Sequence, residues 1–171
     1  KTSQSMFYPS TAVCYLANCL LEGTNVSEGR GTDKPFEYFG APWVNSQQIA
    51  DELNSLNFEG VKFEPVTFTP SEKISAYPPK FFNKECSGVY LNVTDKKKFN
   101  AVKCGVAILV ALYKNCPEFK FNKDNFIDKL AGTDKLRKMI IAGSTADEIE
   151  SEWMSSLNFF NETRNKYLLY K

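Results

Sequence analysis

The sequence predicts an α+β fold, with a small mixed β-sheet, helices packed mainly on one face, and a helical C-terminal third. Apolar residues recur at helical spacing in several capped segments, whereas only 61–69 and 89–93 have the composition of strands. The chain has 171 residues, of which 43% are hydrophobic, and this suits one domain with its own core. We therefore expect residues 1–171 to form a single α+β domain.

The first quarter of the chain predicts two helices separated by irregular segments. Residues 11–21 are apolar nearly all round, which predicts a buried helix with Ser10 as its N-cap. A glycine-rich loop follows, and then an aromatic segment that we expect to pack on the core. The second helix is predicted to end near residue 56, with Asn45 or Ser46 as its cap.

The middle of the chain predicts two strands and the longest helix. The strand over 61–69 contains Pro65, which has no backbone N–H and therefore indicates a sheet edge or a bulge. The long helix is predicted over 96–115, with Thr94 or Asp95 as its cap. Shorter helices and a possible terminal strand follow, over 124–130, 133–141, 144–161 and 167–170, the third of these opening on a capping box.

The loop from Glu22 to Thr32 carries the most unusual composition in the chain. It holds three glycines and a single apolar residue, and core-forming segments flank it on both sides. Glycines let the backbone adopt positive φ or approach a ligand closely, and a polar loop on a rigid scaffold is the usual layout of a binding site. The glycine spacing fits neither a dinucleotide fingerprint nor a P-loop. The alternative interpretation is a long surface turn that binds nothing.

Two side chains of this loop are candidates for chemistry. Glu22 ends a buried helix, where a carboxylate needs partners, so it either clamps the N–H groups of the loop or contacts a ligand. Arg30 lies between two glycines and is suited to a bidentate contact with a carboxylate. The alternative for Arg30 is an ion pair with Glu22, Glu28 or Asp33, which is the state expected without a ligand.

Carboxylates are concentrated in and beside the loop. Glycoside hydrolysis uses two of them, one as acid and one as base or nucleophile. Glu22, Glu28, Asp33 and Glu37 provide four within sixteen positions, although a chain with 24% charged residues produces such groups readily. Asp33 is equally well explained as a turn former, and Glu37 as a solvated partner of Lys34.

Aromatic side chains near the loop are candidate sugar-stacking faces, although aromatics at such positions are more often part of the core. These residues are Tyr38, Trp43, Tyr77 and Phe81.

The composition excludes several classes of function. The chain has no histidine, which removes Ser-His and Cys-His nucleophile pairs and most zinc sites, so we expect neither a metal nor a cofactor. The five cysteines show no C-x-x-C spacing and have apolar neighbours, which indicates mostly buried free thiols; the alternative is one oxidised pair. The net charge of +1 argues against nucleic acid as a partner, and the apolar runs are too short to span a membrane.

The chain opens on Lys1 rather than Met and shows no signal peptide. We therefore expect it to be a fragment or a processed product, and the localisation stays open.

A series of motifs resembles the exo-β-N-acetylmuramidase (NamZ-like) family, long known as a domain of unknown function. The match runs in order over nearly the whole chain. The segments that carry it are EGTNVSEGRGT (22–32), PFE (35–37), GAPW (40–43), FEPVTFTP (63–70), CSGV (86–89), VTD (93–95) and YLLY (167–170).

The resemblance implies an activity that the residues alone do not. Family members are similar in having a Rossmann-like N-terminal domain before this α+β domain, and they release N-acetylmuramic acid from the non-reducing ends of peptidoglycan fragments. The chain matches only the C-terminal domain, so the absent N-terminal domain is expected to be its partner and to supply the main catalytic carboxylates. The resemblance suggests a secreted or periplasmic protein, and the 171-residue chain alone is expected to be inactive.

Carried onto this sequence, the family motif makes the loop the contribution of this domain to a cleft. Glu22 is a candidate catalytic contributor, and Arg30 is expected to hold the lactyl carboxylate of muramic acid. The expected substrate-binding residues are Asn25, Ser27, Arg30, Thr32 and Glu37. The alternatives are a carbohydrate- or cell-wall-binding module without catalysis and a structural domain that docks on a partner.

Overall fold

The structure, a computed structural model, describes residue 6 and the ranges 8–71 and 78–170. In these ranges three strands form one sheet, and six α-helices and one 3-10 helix accompany it. In chain order the elements are α1 (Pro9–Asn18), the 3-10 helix (Cys19–Gly23), β1 (Tyr38–Ala41), α2 (Ser46–Ser55), β2 (Val61–Phe68), β3 (Cys86–Val93), α3 (Ala101–Asn115), α4 (Phe126–Ala131), α5 (Lys135–Ile141) and α6 (Ala146–Asn165). The predicted α+β class is confirmed.

The sheet is antiparallel throughout, with the order β1–β3–β2. The expectation of a mixed sheet is therefore wrong. Both predicted strands are present. Pro65 lies on β2, which is an edge strand, as its missing backbone N–H predicts. Strand β1 was not predicted, because its four residues, YFGA, are too few to show an alternating pattern.

One face of the sheet forms the core with the helices. Phe39, Phe63 and Leu91 are buried on that face and belong to the same apolar cluster as residues of α1, α2 and α3. Alternation along the strands sends a second set of side chains to the opposite face. In that set the Tyr38 ring contacts the rings of both Phe68 and Tyr90.

Helix α1 differs from its prediction in two respects. Its N-cap position is occupied by Tyr8, which makes no side-chain cap, while Ser10 lies inside the helix and donates its hydroxyl to Glu37. The helix is also not buried all round, because Leu16 is more than half exposed. Its buried side carries Cys14, Ala17 and other residues that face the sheet and α3.

The long helix α3 begins later than the prediction. Asn100 is its N-cap and accepts a hydrogen bond from the Lys103 N–H. Asp95 instead closes a separate turn over residues 96–99, through its side chain and its carbonyl, so the lysines of 96–98 precede the helix. A side chain that hydrogen-bonds within a local turn is not available to cap a helix.

The C-terminal third is helical, as predicted, and Thr145 and Glu148 form the expected capping box of α6. Helix α6 continues to Asn165, beyond the predicted end near residue 161. Residues 166–170 do not form the predicted terminal strand. No helix within the described ranges is long and apolar enough to cross a membrane.

Candidate functional site

The polar loop folds into a pinned and mostly buried structure. Ser27 and Gly40 exchange two backbone hydrogen bonds, of 2.8 and 3.0 Å, which fix one side of the loop to β1. Asn25 fixes the other side, because its backbone N–H donates to Lys120 and its side-chain Oδ1 accepts from the Lys120 N–H at 2.8 Å. The Asn25 Nδ2 also donates to the Glu118 carbonyl at 2.8 Å. The loop is therefore held in one shape by both neighbouring segments.

Two predicted binding residues stabilise the turn around Gly29. Ser27 Oγ accepts a hydrogen bond from the Gly29 N–H at 3.2 Å, and Thr32 Oγ1 donates to the Gly29 carbonyl at 2.7 Å. Gly29 has a φ of 74°, a conformation that L side chains rarely adopt. Ser27 and Thr32 are both buried, so in this structure their hydroxyls serve the loop itself, and a role in ligand binding stays a prediction.

Glu37 is buried at the base of the loop. One of its carboxylate oxygens accepts hydrogen bonds of 2.9 Å from the hydroxyls of Ser10 and Thr11. The other is paired with the Lys34 ammonium at 3.5 Å. Burial alone would lower the pKa of Lys34, but Glu37 and Tyr90 outweigh it and raise that pKa. Glu37 is thus a buried partner of Lys34 rather than a solvated one, and its predicted contact with substrate stays a prediction.

Four charged side chains form a network at the partly open edge of the loop, which we call the loop-edge network: Glu22, Glu28, Arg30 and Lys80. Arg30 lies between two carboxylates, 2.7 Å from Glu22 and 3.2 Å from Glu28. The two carboxylates differ in exposure, since the Glu22 side chain is 23% exposed and that of Glu28 is 6% exposed. The ion pair expected for Arg30 without a ligand is present.

Lys80 completes this network and was not identified from the sequence. Its ammonium donates to the carbonyls of Leu21 and Val26 at 2.8 and 2.9 Å and to Glu28 at 3.0 Å. Three acceptors from the loop and its preceding helix thus converge on one cation. Lys80 follows two prolines in an irregular segment, and no local pattern there points toward a loop more than fifty residues away.

A short aromatic stack supports Arg30. Its guanidinium lies 4.9 Å from the centre of the Phe36 ring, and Tyr15 meets that ring edge-on at 4.8 Å. Neither aromatic residue was among the predicted stacking faces. Of those, Tyr38 contacts two other rings, Trp43 and Phe81 pack against the core, and Tyr77 lies outside the described residues.

Cys14 and Cys86, two of the buried cysteines, lack the properties of nucleophiles. All five are free, so no pair is oxidised in the structure, and four of them are buried while Cys19 is half-buried. Burial raises the pKa of the Cys14 thiol to about 12 and that of Cys86 to about 11. Thiols this hard to ionise are poor nucleophiles. No cluster of three or more acidic or cysteine side chains suited to a metal ion occurs in the described part of the chain.

Comparison with known proteins identifies relatives of this chain. The family described as "Exo-beta-N-acetylmuramidase NamZ, C-terminal" matches residues 13–170. "Peptidoglycan beta-N-acetylmuramidase NamZ" of Bacillus subtilis (strain 168) is 42% identical over 157 residues, which cover 91% of this chain but only 36% of that protein.

Two solved structures share the fold. Both are DUF1343 family proteins of Bacteroides fragilis NCTC 9343, and each match covers 99% of this chain. One is 34% identical, with a TM-score of 0.72 over 43% of its own chain. The other, at 24% identity, has a TM-score of 0.86 over 44% of its chain and shows the fold alone. The chain thus spans less than half the length of each relative.

Proposed function

This chain belongs to the NamZ C-terminal family of exo-beta-N-acetylmuramidases, and we therefore propose that it forms the substrate-cleft half of a glycoside hydrolase. In the longer protein, the enzyme releases N-acetylmuramic acid from the non-reducing ends of peptidoglycan fragments. The B. subtilis relative, which is named for this activity on peptidoglycan, supports the proposal through its 42% identity. A preceding domain, of the kind that the relatives' extra length accommodates, is the partner across the cleft.

The observation that carries a role for this half is the position of Arg30 between two unequal carboxylates. Glu28 is almost fully buried and is also held by Lys80, so it fixes Arg30 from beneath. Glu22 is more exposed, and in the described part of the chain its carboxylate pairs with Arg30. A carboxylate ligand therefore replaces Glu22 on the guanidinium while Glu28 keeps the arginine in place. Muramic acid carries such a carboxylate on its lactyl group, and N-acetylglucosamine does not.

The chemical step belongs to the preceding domain. Glycoside hydrolysis needs one carboxyl group that delivers a proton and a second carboxylate that acts as base or nucleophile. Glu22 and Glu28 are both paired with cations, and this pairing suits them to orient Arg30 rather than to transfer protons. The 171-residue chain contributes binding and orientation, and it is inactive alone.

The test is the Arg30→Ala variant of the full-length protein, assayed on a chromogenic muramic-acid glycoside and on the matching N-acetylglucosamine glycoside. A hydrogen-bonded ion pair with a ligand is worth about 1.5–3 kcal/mol, so kcat/KM for the muramic-acid substrate falls roughly 10- to 150-fold. The N-acetylglucosamine substrate, which lacks the lactyl carboxylate, is affected far less. Structural damage alone lowers kcat/KM equally for the two substrates, so equal losses of kcat/KM refute the role of Arg30.

Two controls accompany this assay. Arg137→Ala removes another paired arginine, which lies 2.7 Å from Asp128 and does not belong to the loop-edge network, and should leave the preference between the two substrates unchanged. The 171-residue chain should show no turnover of either glycoside. Turnover by that chain contradicts the division of labour, and a full-length protein that binds peptidoglycan without turnover supports the alternative of a binding module.

A further inference from the structure

An open apolar groove lies on the side of the molecule formed by α1, α3, α5 and α6. Its volume is 840 Å³. Most of its lining is aliphatic or aromatic, and the main contributors are Leu16, Leu20, Val106, Met139, Leu157 and Phe160. Four charged residues also line it, in two pairs: Lys103 with Glu150 at 2.7 Å, and Lys135 with Glu152. A largely apolar surface with a few paired charges has the composition of a protein interface.

The second half of α6 extends this apolar surface. The helix packs against α3 through Ile149 near its start, whereas Leu157, Phe159 and Phe160 further along are exposed to a large extent. The tail at 167–170 adds two tyrosines and two leucines that are also exposed. Contiguous apolar surfaces beyond a few hundred Å² are rare on monomeric soluble proteins and mark interaction sites. Within the described residues nothing covers this surface.

The relatives supply a specific occupant. The matched span is 36% of the B. subtilis protein and 43–44% of the two solved chains, so most of each relative lies outside it. The matching family is a C-terminal one, which places the remainder before this span. A preceding domain would join the chain ahead of α1. Because α1 has ten residues, its two ends are only about 15 Å apart. The last turn of α1 is itself a wall of the groove, so a preceding domain is within reach of it.

We infer that the domain preceding this chain packs into the groove and over the exposed face of α6. The inference rests on the proposed function only in taking that domain as the partner. It also explains how the two halves meet at the site. Cys19 and Leu20 line the groove and belong to the same 3-10 helix as Glu22, so a domain seated in the groove comes close to the loop-edge network.

Cys19 is a native probe of this interface. It lines the groove and is half-buried, whereas the other four cysteines are buried. We propose to measure its rate of modification by N-ethylmaleimide, by mass spectrometry, in the 171-residue chain and in the full-length protein. We expect modification to be about tenfold or more slower in the full-length protein, because labelling then requires the interface to open. Equal rates in the two proteins overturn the inference.

Two variants of the full-length protein sharpen the test. Phe160→Asp places a charge in the interface and should restore fast labelling of Cys19, while Leu56→Asp, at an exposed leucine after α2, should not. Slow labelling of Cys19 in both variants overturns the inference. Protection of Cys19 in the 171-residue chain that increases with protein concentration also overturns it, because a second copy of the chain then covers the groove. Labelling needs no substrate, so its outcome is independent of whether Arg30→Ala changes substrate preference.

Discussion

The loop at 22–37 and the helix α6 with its tail use their residues in opposite ways. The loop from Glu22 to Thr32 is rich in polar and charged side chains, yet four of the seven are buried and bonded to the chain itself: Thr24, Ser27, Glu28 and Thr32. The tail of α6 is rich in leucine and aromatic residues, yet these are exposed. Both regions carry motifs by which the chain resembles its family. In the described residues, the polar groups of the loop are bonded within the chain, whereas the leucines and tyrosines of the C-terminal motif stay exposed. We expect the C-terminal motif to be covered by the preceding domain proposed above.

The largest expected effect in this comparison comes from Glu28, the buried carboxylate of the loop. Glu28→Ala removes the carboxylate that Arg30 and Lys80 share, and losing these two charged contacts, at about 1.5–3 kcal/mol each, should lower the free energy of unfolding by about 3–5 kcal/mol. Urea unfolding of the 171-residue chain measures this loss. As a control, Glu59→Ala removes an exposed partner of Lys98 and should cost at most about 1 kcal/mol. Similar losses of unfolding free energy for the two variants would mean that the loop-edge network stabilises the fold no more than a surface ion pair does.

A matched pair of leucines tests the same contrast with identical chemistry. Leu21, just before the loop, is 1% exposed, and Leu169, in the C-terminal tail, is 90% exposed. Leu21→Ala should lower the free energy of unfolding of the 171-residue chain by about 3 kcal/mol, because it removes packed methyl groups and leaves a cavity. Leu169→Ala should change it by no more than about 0.5 kcal/mol. In the full-length protein Leu169→Ala should become destabilising, and no change there would argue against a covered tail.

The smallest effect is a pH dependence that is absent at neutral pH. Burial, together with Glu37, raises the pKa of Cys14 from 9.0 to about 12. The folded protein therefore keeps this thiol protonated, while the unfolded chain loses the proton above pH 9.0. The contribution of this thiol to stability is complete below pH 9.0 and declines as the pH rises toward about 12, by at most about 1.4 kcal/mol per pH unit.

Cys14→Ala should flatten that decline in urea unfolding measured from pH 8 to pH 11, since the titrating group is gone. Cys19→Ala, at the half-buried thiol of the groove, should flatten it less. An identical pH profile of stability in wild type and Cys14→Ala would show that the Cys14 thiol is not protected from solvent.

Local patterns predicted most of the elements. The capping box at Thr145 and Glu148, the Asn45 cap and the edge position of Pro65 are all consequences of chemistry within a few residues, and all three are present. Errors occurred where another partner takes the predicted cap. For Asp95 that partner is local, because the residue closes a turn instead of capping α3. For Ser10 it is distant in sequence, because its hydroxyl donates to Glu37.

The candidate site was predicted in part. Glu22 and Arg30 were identified because a charged residue beside glycines or at the end of an apolar helix is unusual, and the structure brings the two together at 2.7 Å. The unequal exposure of Glu22 and Glu28 and the support of Arg30 by Phe36 were not accessible from spacing. Both depend on which segments cover the loop, and those segments come from distant parts of the chain.

The sequence by itself determined the α+β class, the family and the position of the unusual loop, since periodicity, caps and motifs are properties of neighbouring residues. Only the tertiary structure decided the direction in which each side chain points. It buried Ser27, Thr32 and Glu37, brought Lys80 to the loop and, within the described residues, left the apolar side chains in the second half of α6 exposed. The physical reason is that burial and ion pairing depend on the distances between segments, and a chain of this composition can satisfy its polar groups only after those segments have packed.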